Sequence, residues 1–224
     1  MRLRTLSLVS VALAALGTAF AAAPAQAAAA ERPRHCVANV ANPSAPVRCY
    51  DNFTTAIAKA TGGRVTDAPA DVRAALRDTD LLARLDATAG KGLDAKAAHR
   101  DPTTLAADVL ISIEYWDSDF EGSTYTWTAP WGCTTTTGDT DWSAATLVSN
   151  WNDEIGSYRG FSNCWVKHFE HIHFGGLCEA FAGDDADLRD NALGADVASS
   201  LRSTGNTVAL YEHAGYRALS AVHR

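Results

Sequence analysis

Two stretches decide the fold: Tyr115-Trp116-Asp117-Ser118-Asp119-Phe120-Glu121-Gly122 and Phe169-Glu170-His171-Ile172-His173-Phe174-Gly175-Gly176. Both read aromatic, four residues, aromatic, one residue, glycine. The pattern predicts a folded-over β-hairpin. Tyr115 braces against Phe120 and Phe169 against Phe174, while Gly122 and Gly176 take a backbone conformation that a Cβ resists. Strand texture follows each hairpin, at 124–128 and 177–181, with Thr124, Thr126 and Thr128 alternating with Tyr125 and Trp127. A polar turn closes each unit: Asn152-Asp153-Glu154-Ile155-Gly156-Ser157, then Ala195-Asp196-Val197-Ala198-Ser199-Ser200. The turn begins 30 residues after the glycine in the first unit and 19 in the second.

Outward from these units the composition is uneven. Of 19 aromatic residues, 14 lie between Tyr115 and Phe181, and none lies between 54 and 114. The region before 108 is Ala-rich. Asn52 or Thr54 is read as the cap of a helix over 55–60 that Gly62-Gly63 stops. Residues 69–88 read as helix, interrupted near Asp78-Thr79-Asp80, and 89–107 as a polar linker. From 108 the texture is strand, with Val109, Ile111 and Ile113 expected on one face and Leu110, Ser112 and Glu114 on the other.

The paired hairpins and turns resemble the βγ-crystallin family over roughly residues 109–204. Two copies of the hairpin motif, each with its turn ending in Ser157 or Ser200, make the resemblance specific. It implies two Greek keys packed as a sandwich; with the residues before 108 read as a small α-rich region with a disulfide hairpin, the chain is expected to be mainly β. The expected division is a signal peptide (1–27), the hairpin with helices and linker (28–107), the βγ-crystallin-like domain (108–204), and a tail (205–224). Within that tail Tyr211-Glu212-His213-Ala214-Gly215-Tyr216-Arg217-Ala218 resembles a partial third hairpin with Ala218 in place of the glycine.

The resemblance also implies two weak calcium sites, as calcium takes several hard oxygens. One would join Asn152, Asp153 and Glu154 to Glu170 and its hairpin. The other would join Asp196, Val197 and Ser199 to Asp117 and its hairpin. Both turns depart from the family pattern. Gly156 leaves the fifth position of the first without a hydroxyl, and Ala195 replaces an acid or amide at the head of the second. The second site, which keeps Ser199, is therefore the better expectation.

The chain opens with Met1-Arg2-Leu3-Arg4, an apolar run and Ala25-Gln26-Ala27, the pattern of a secretory signal cleaved after Ala27, with Ala30 the alternative. The expected location is extracellular, with no membrane association after cleavage. Loss of 1–27 would move the net charge from −7 to −9, because that segment holds two Arg and no acid. This acidity argues against a nucleic-acid partner. Secretion permits disulfides. Cys36 and Cys49 flank a Pro turn and are expected to pair; Cys133–Cys164 is the second expected bridge, with Cys178 either buried as a small apolar residue or paired in its place.

Other chemistry is sparse. His168, His171 and His173 look like a metal cluster, but strand alternation separates His168 from the other two, and they read as solvent-facing or hydrogen-bonded imidazoles. No nucleophile elbow, zinc-protease motif or phosphate loop occurs, and no catalytic residue is assigned. The expected function is a secreted, weakly calcium-binding domain that the metal stabilises. The alternative is an extracellular protease inhibitor or toxin-like module, with the 128–140 loop and its Trp131 as the contact. The tryptophans also raise carbohydrate as a partner.

Overall fold

The computed structural model describes residues 34–87, 108–135, 138–148, 150–206, 208–211 and 219–223. The signal peptide and the 89–107 linker expected from sequence lie outside these residues, and so does most of the third hairpin.

The first hairpin motif joins β3 (Val109–Asp117) to β4 (Glu121–Ala129), which follow β1 (His35–Asn39) and β2 (Arg48–Tyr50) in the chain. The second joins β7 (Cys164–His171) to β8 (Gly175–Cys178); β5 (Trp142–Ala144) and β6 (Ser157–Gly160) lie between the two motifs. Strands β9 (Asp184–Asp185) and β10 (Ser200–Gly205) complete the second key. One sheet runs β2-β1-β4-β3-β6-β9 and the other β5-β10-β7-β8. Each key thus lends its third strand to the other key's sheet: β5 pairs with β10, and β9 with β6. This exchange makes the two Greek keys one sandwich. Val208–Tyr211 and Leu219–His223 pair separately as an antiparallel ribbon.

The N-terminal hairpin is part of the first sheet. Strand β1 runs parallel to β4, from His35 opposite Thr124 to Asn39 opposite Thr128, and the Cys36–Cys49 disulfide ties β1 to β2. A second disulfide joins Cys133 to Cys164, and Cys178 is free.

Three helices cover the outer face of that sheet. The first, α1 (Phe53–Ala60), is capped by Asn52, whose side chain accepts from Thr55 N at 2.8 Å. The second, α2 (Val72–Arg77), begins at Asp71, and α3 (Thr79–Ala87) follows the break at Asp78. Asp78 Oδ1 accepts from Leu81 N at 2.9 Å, which satisfies an otherwise orphan amide at the new start.

There are consequently two cores. Val109, Ile111, Trp127, Trp151, Val166 and Leu201 fill the sandwich interior. Phe53, Ile57, Leu81, Leu110, Ile113 and Tyr115 fill the layer between helices and sheet. The expected face of β3 is corrected here: Ile113 does not share a side with Val109 and Ile111. A register shift between Leu110 and Ser112 inserts one residue and reverses the alternation beyond it. Ile113 and Tyr115 then point to the helices, and Glu114 turns inward.

Candidate functional site

The two hairpins are near copies. Tyr115 and Phe120 meet edge to face at 5.5 Å, Phe169 and Phe174 at 5.6 Å. Both folds use left-handed backbone, with φ of 57° and 60° at Asp119 and Phe120 and 56° and 64° at His173 and Phe174. The last serine of each turn pins the hairpin of its own key. Ser157 Oγ donates to Asp117 O at 2.6 Å and accepts from Phe120 N at 3.0 Å. Ser200 Oγ donates to His171 O at 2.7 Å and accepts from Phe174 N at 3.1 Å.

The two polar turns interlock. Asp153 N donates to Ala198 O at 3.0 Å, and Asp196 N donates to Ile155 O at 3.2 Å. Asp153 and Asp196 occupy equivalent positions, both left-handed, at φ of 61° and 58°. Ser199 Oγ reaches across the turns to Asp153 Oδ1 at 3.2 Å. The structure therefore joins the hydroxyl that the sequence placed with Asp196 and Asp117 to a carboxylate of the first turn. The interlock of the two turns is the reason.

The equivalent place beside Asp196 belongs to Gly156. A Cβ on Gly156 would lie 2.7 Å from Asp117 C, 2.8 Å from Trp116 O and 2.9 Å from Ser118 N, all backbone atoms. The missing hydroxyl is thus matched to a tight approach of hairpin and turn. Arg189 also stands on this side, donating to Asp187 Oδ1 and Oδ2 at 2.7 Å each and to Ser118 Oγ at 3.0 Å. Its guanidinium pKa is raised, first by Asp187 and further by Asp119 and Asp196.

Arg189 lends its charge to the Asp196 side rather than the Asp153 side, and acidic groups crowd between the turns. Partial desolvation raises the Glu154 carboxyl above its ordinary range, and the charges of Asp196 and Asp153 raise it further. Asp153 and Asp196 are exposed, Glu154 and Val197 half-buried, and Ser199 is buried. Asn152 Nδ2 donates to Asp153 Oδ2 at 2.7 Å. Glu170 turns back on its own hairpin, accepting from Leu177 N at 2.8 Å. Among the described residues no group of three or more His, Cys, Asp or Glu side chains is arranged to hold a metal ion. The oxygens present are nonetheless hard donors that suit calcium, with backbone and hydroxyl groups to complete the set.

Trp131 packs on Trp142 at 5.0 Å and accepts from its Nε1 at 3.2 Å, so the expected contact residue is half-buried. Of the three histidines, His168 takes the hydrogen-bonded alternative of the sequence reading. It is not solvent-facing but fully buried. Its Nε2 lies 3.0 Å from Glu114 Oε2, and its Nδ1 hydrogen-bonds Glu179 Oε1. Ser112 Oγ donates to Glu114 Oε1 at 2.6 Å, and Asn191 Nδ2 to Glu179 Oε2 at 2.9 Å. Burial alone would push the imidazole pKa down; the two carboxylates and their hydrogen bonds outweigh it and hold it at about 10. The register shift that turned Glu114 inward was the missing signal. The cluster is closed to solvent, so it braces the two sheets.

No protein-family model matches the chain, and no curated protein matches it. Solved structures do. A betagamma-crystallin from an archaeon is similar over 42% of this chain and 95% of its own, at 21% identity and a TM-score of 0.30. A betagamma-crystallin domain from Flavobacterium johnsoniae is similar over 43% of this chain and 96% of its own, at 19% identity and a TM-score of 0.30. The Ca2+-bound betagamma-crystallin domain of Abundant Perithecial Protein from Neurospora crassa is similar over 43% of this chain and 89% of its own, at 18% identity and a TM-score of 0.32. The fold itself rests on the strand exchange between the keys.

Proposed function

We propose that the chain is a secreted, non-catalytic βγ-crystallin-like protein that binds calcium weakly at the interlocked turns and is stabilised by it. The observation that carries this reading is Ser199 Oγ against Asp153 Oδ1, with the neighbouring Glu154 carboxyl repelled by the charge of Asp153. A cation there relieves repulsion in the folded state alone, which raises stability by mass action. The preferred site is the Asp153–Ser199 side, since Arg189 already supplies positive charge near Asp196.

The test is thermal melting of the mature protein in several millimolar calcium and in chelator. The melting temperature is expected to rise with calcium in the parent and to rise much less in Ser199→Ala. Superimposable curves for the parent in both conditions would remove the proposal.

A further inference from the structure

The outer face of the second sheet carries two cations, Lys167 and Arg202, with no carboxylate partner among the described residues. Along β7 the residues Cys164, Val166 and His168 are buried, so Trp165, Lys167 and Phe169 point the other way. Lys167 sits directly opposite Arg202 on β10, and Arg202 is in turn opposite Ser143 on the edge strand β5. Like charges directly opposed on neighbouring strands destabilise a sheet. Neither side chain forms an ion pair with a described residue.

Aromatic rings hold both cations instead. The Arg202 guanidinium lies 4.0 Å from the centroid of Phe174 and 5.5 Å from that of Phe169. Lys167 Nζ lies 5.6 Å from Phe169 and 5.4 Å from Phe181. Stacking engages the face of a guanidinium and leaves its N–H edge free, the geometry that grips a carboxylate with two parallel hydrogen bonds. One row along the same strand, Trp165 is 36% exposed, a broad apolar surface beside the charges.

We propose that this face binds an acidic glycan, a polymer of uronic acid sugars. The C–H face of a pyranose ring stacks on Trp165, and a sugar carboxylate pairs with Arg202 and Lys167. The anion relieves the like-charge opposition that the free protein carries. A sugar carboxylate matches the local positive charge of the opposed Lys167 and Arg202.

The test follows tryptophan fluorescence and calorimetry of the mature protein at low salt. The probes are a galacturonate hexamer, neutral maltohexaose and an oligothymidine of matched charge. Saturable binding is expected for the galacturonate hexamer alone. Lys167→Gln/Arg202→Gln should weaken it at least tenfold while melting no lower than the parent, Trp165→Ala should weaken it with charge intact, and Lys167→Arg should retain it. The proposal is overturned by no binding of the hexamer at millimolar concentration. Equal binding by the double variant overturns it too, as does oligothymidine or maltohexaose binding as tightly as the hexamer.

Discussion

Replacing His168 with Gln removes the cation that pairs with two buried carboxylates. Glu114 is 1% exposed, Glu179 6% and His168 fully buried. Breaking a buried ion pair by deleting one partner costs about 3–5 kcal/mol, because the remaining charge is left uncompensated. The pH dependence gives an independent figure. The imidazole is held at about 10 against an ordinary 6.5, so the folded protein keeps a proton that the unfolded chain releases. The resulting stabilisation is whole below about pH 6.5 and is lost as pH climbs toward 10, at about 1.4 kcal/mol per unit. Over that window the total is of the same order as the pair-breaking cost. For a folded unit of this size a loss of about 3–5 kcal/mol lowers the melting temperature by about 6–20 °C. Urea unfolding of parent and His168→Gln between pH 6 and 10.5 measures both quantities. The variant should be less stable near neutrality, and its stability should lack the parent's decline across that range. The triple variant Glu114→Gln/His168→Gln/Glu179→Gln, with no buried charge, should recover much of the loss, which separates charge from packing. If His168→Gln stays within about 1 kcal/mol of the parent, or keeps the same decline with pH, the reasoning is wrong.

His35 should act in the opposite direction. Burial lowers its pKa to about 4, and its Nδ1 lies 3.0 Å from Thr124 Oγ1. The folded protein then binds fewer protons than the unfolded chain, so this contribution is present above pH 6.5 and is lost as pH falls toward 4, at about 1.4 kcal/mol per unit. His35→Gln should flatten that acid limb in urea titrations; an unchanged limb would refute the assignment. Gly156→Ser restores the hydroxyl that the turn lacks in sequence, yet its Cβ would meet hairpin backbone at 2.7–2.9 Å. It should lower stability by about 1–3 kcal/mol without raising calcium affinity, measured by melting with and without calcium; a calcium-dependent gain would show that the hairpin yields.

What the sequence made legible was local. The hairpin braces, the break between α2 and α3 and the cap at Asn52 each depend on residues within one element, where spacing and side-chain type determine the geometry. What it hid depends on register between distant strands. A single inserted residue between Leu110 and Ser112 sends Glu114 to the interior and Ile113 to the helices. Alternation read by eye assigned both to the wrong neighbours, so the partner of His168 could not be seen. The parallel pairing of β1 with β4 was equally invisible, as nothing in Cys36–Cys49 spacing says which edge the hairpin joins.

The same distinction explains the calcium turns. Their motif is contiguous, and the internal contacts of Ser157 and Ser200 follow from it within each key. The oxygens around a bound cation would come from both keys at once, because Asp153 and Asp196 each hydrogen-bond the opposite turn. Ser199 therefore serves the turn that lost its own hydroxyl, while Asp196 faces the side that gained Arg189. Two degenerate motifs leave one side with its oxygens together and the other with a resident positive charge. Arg189→Gln distinguishes that asymmetry from a general weakening. Calcium stabilisation should increase in this variant if the Asp196 side is blocked only by charge, and should stay at the parent's value if Gly156 alone disables it.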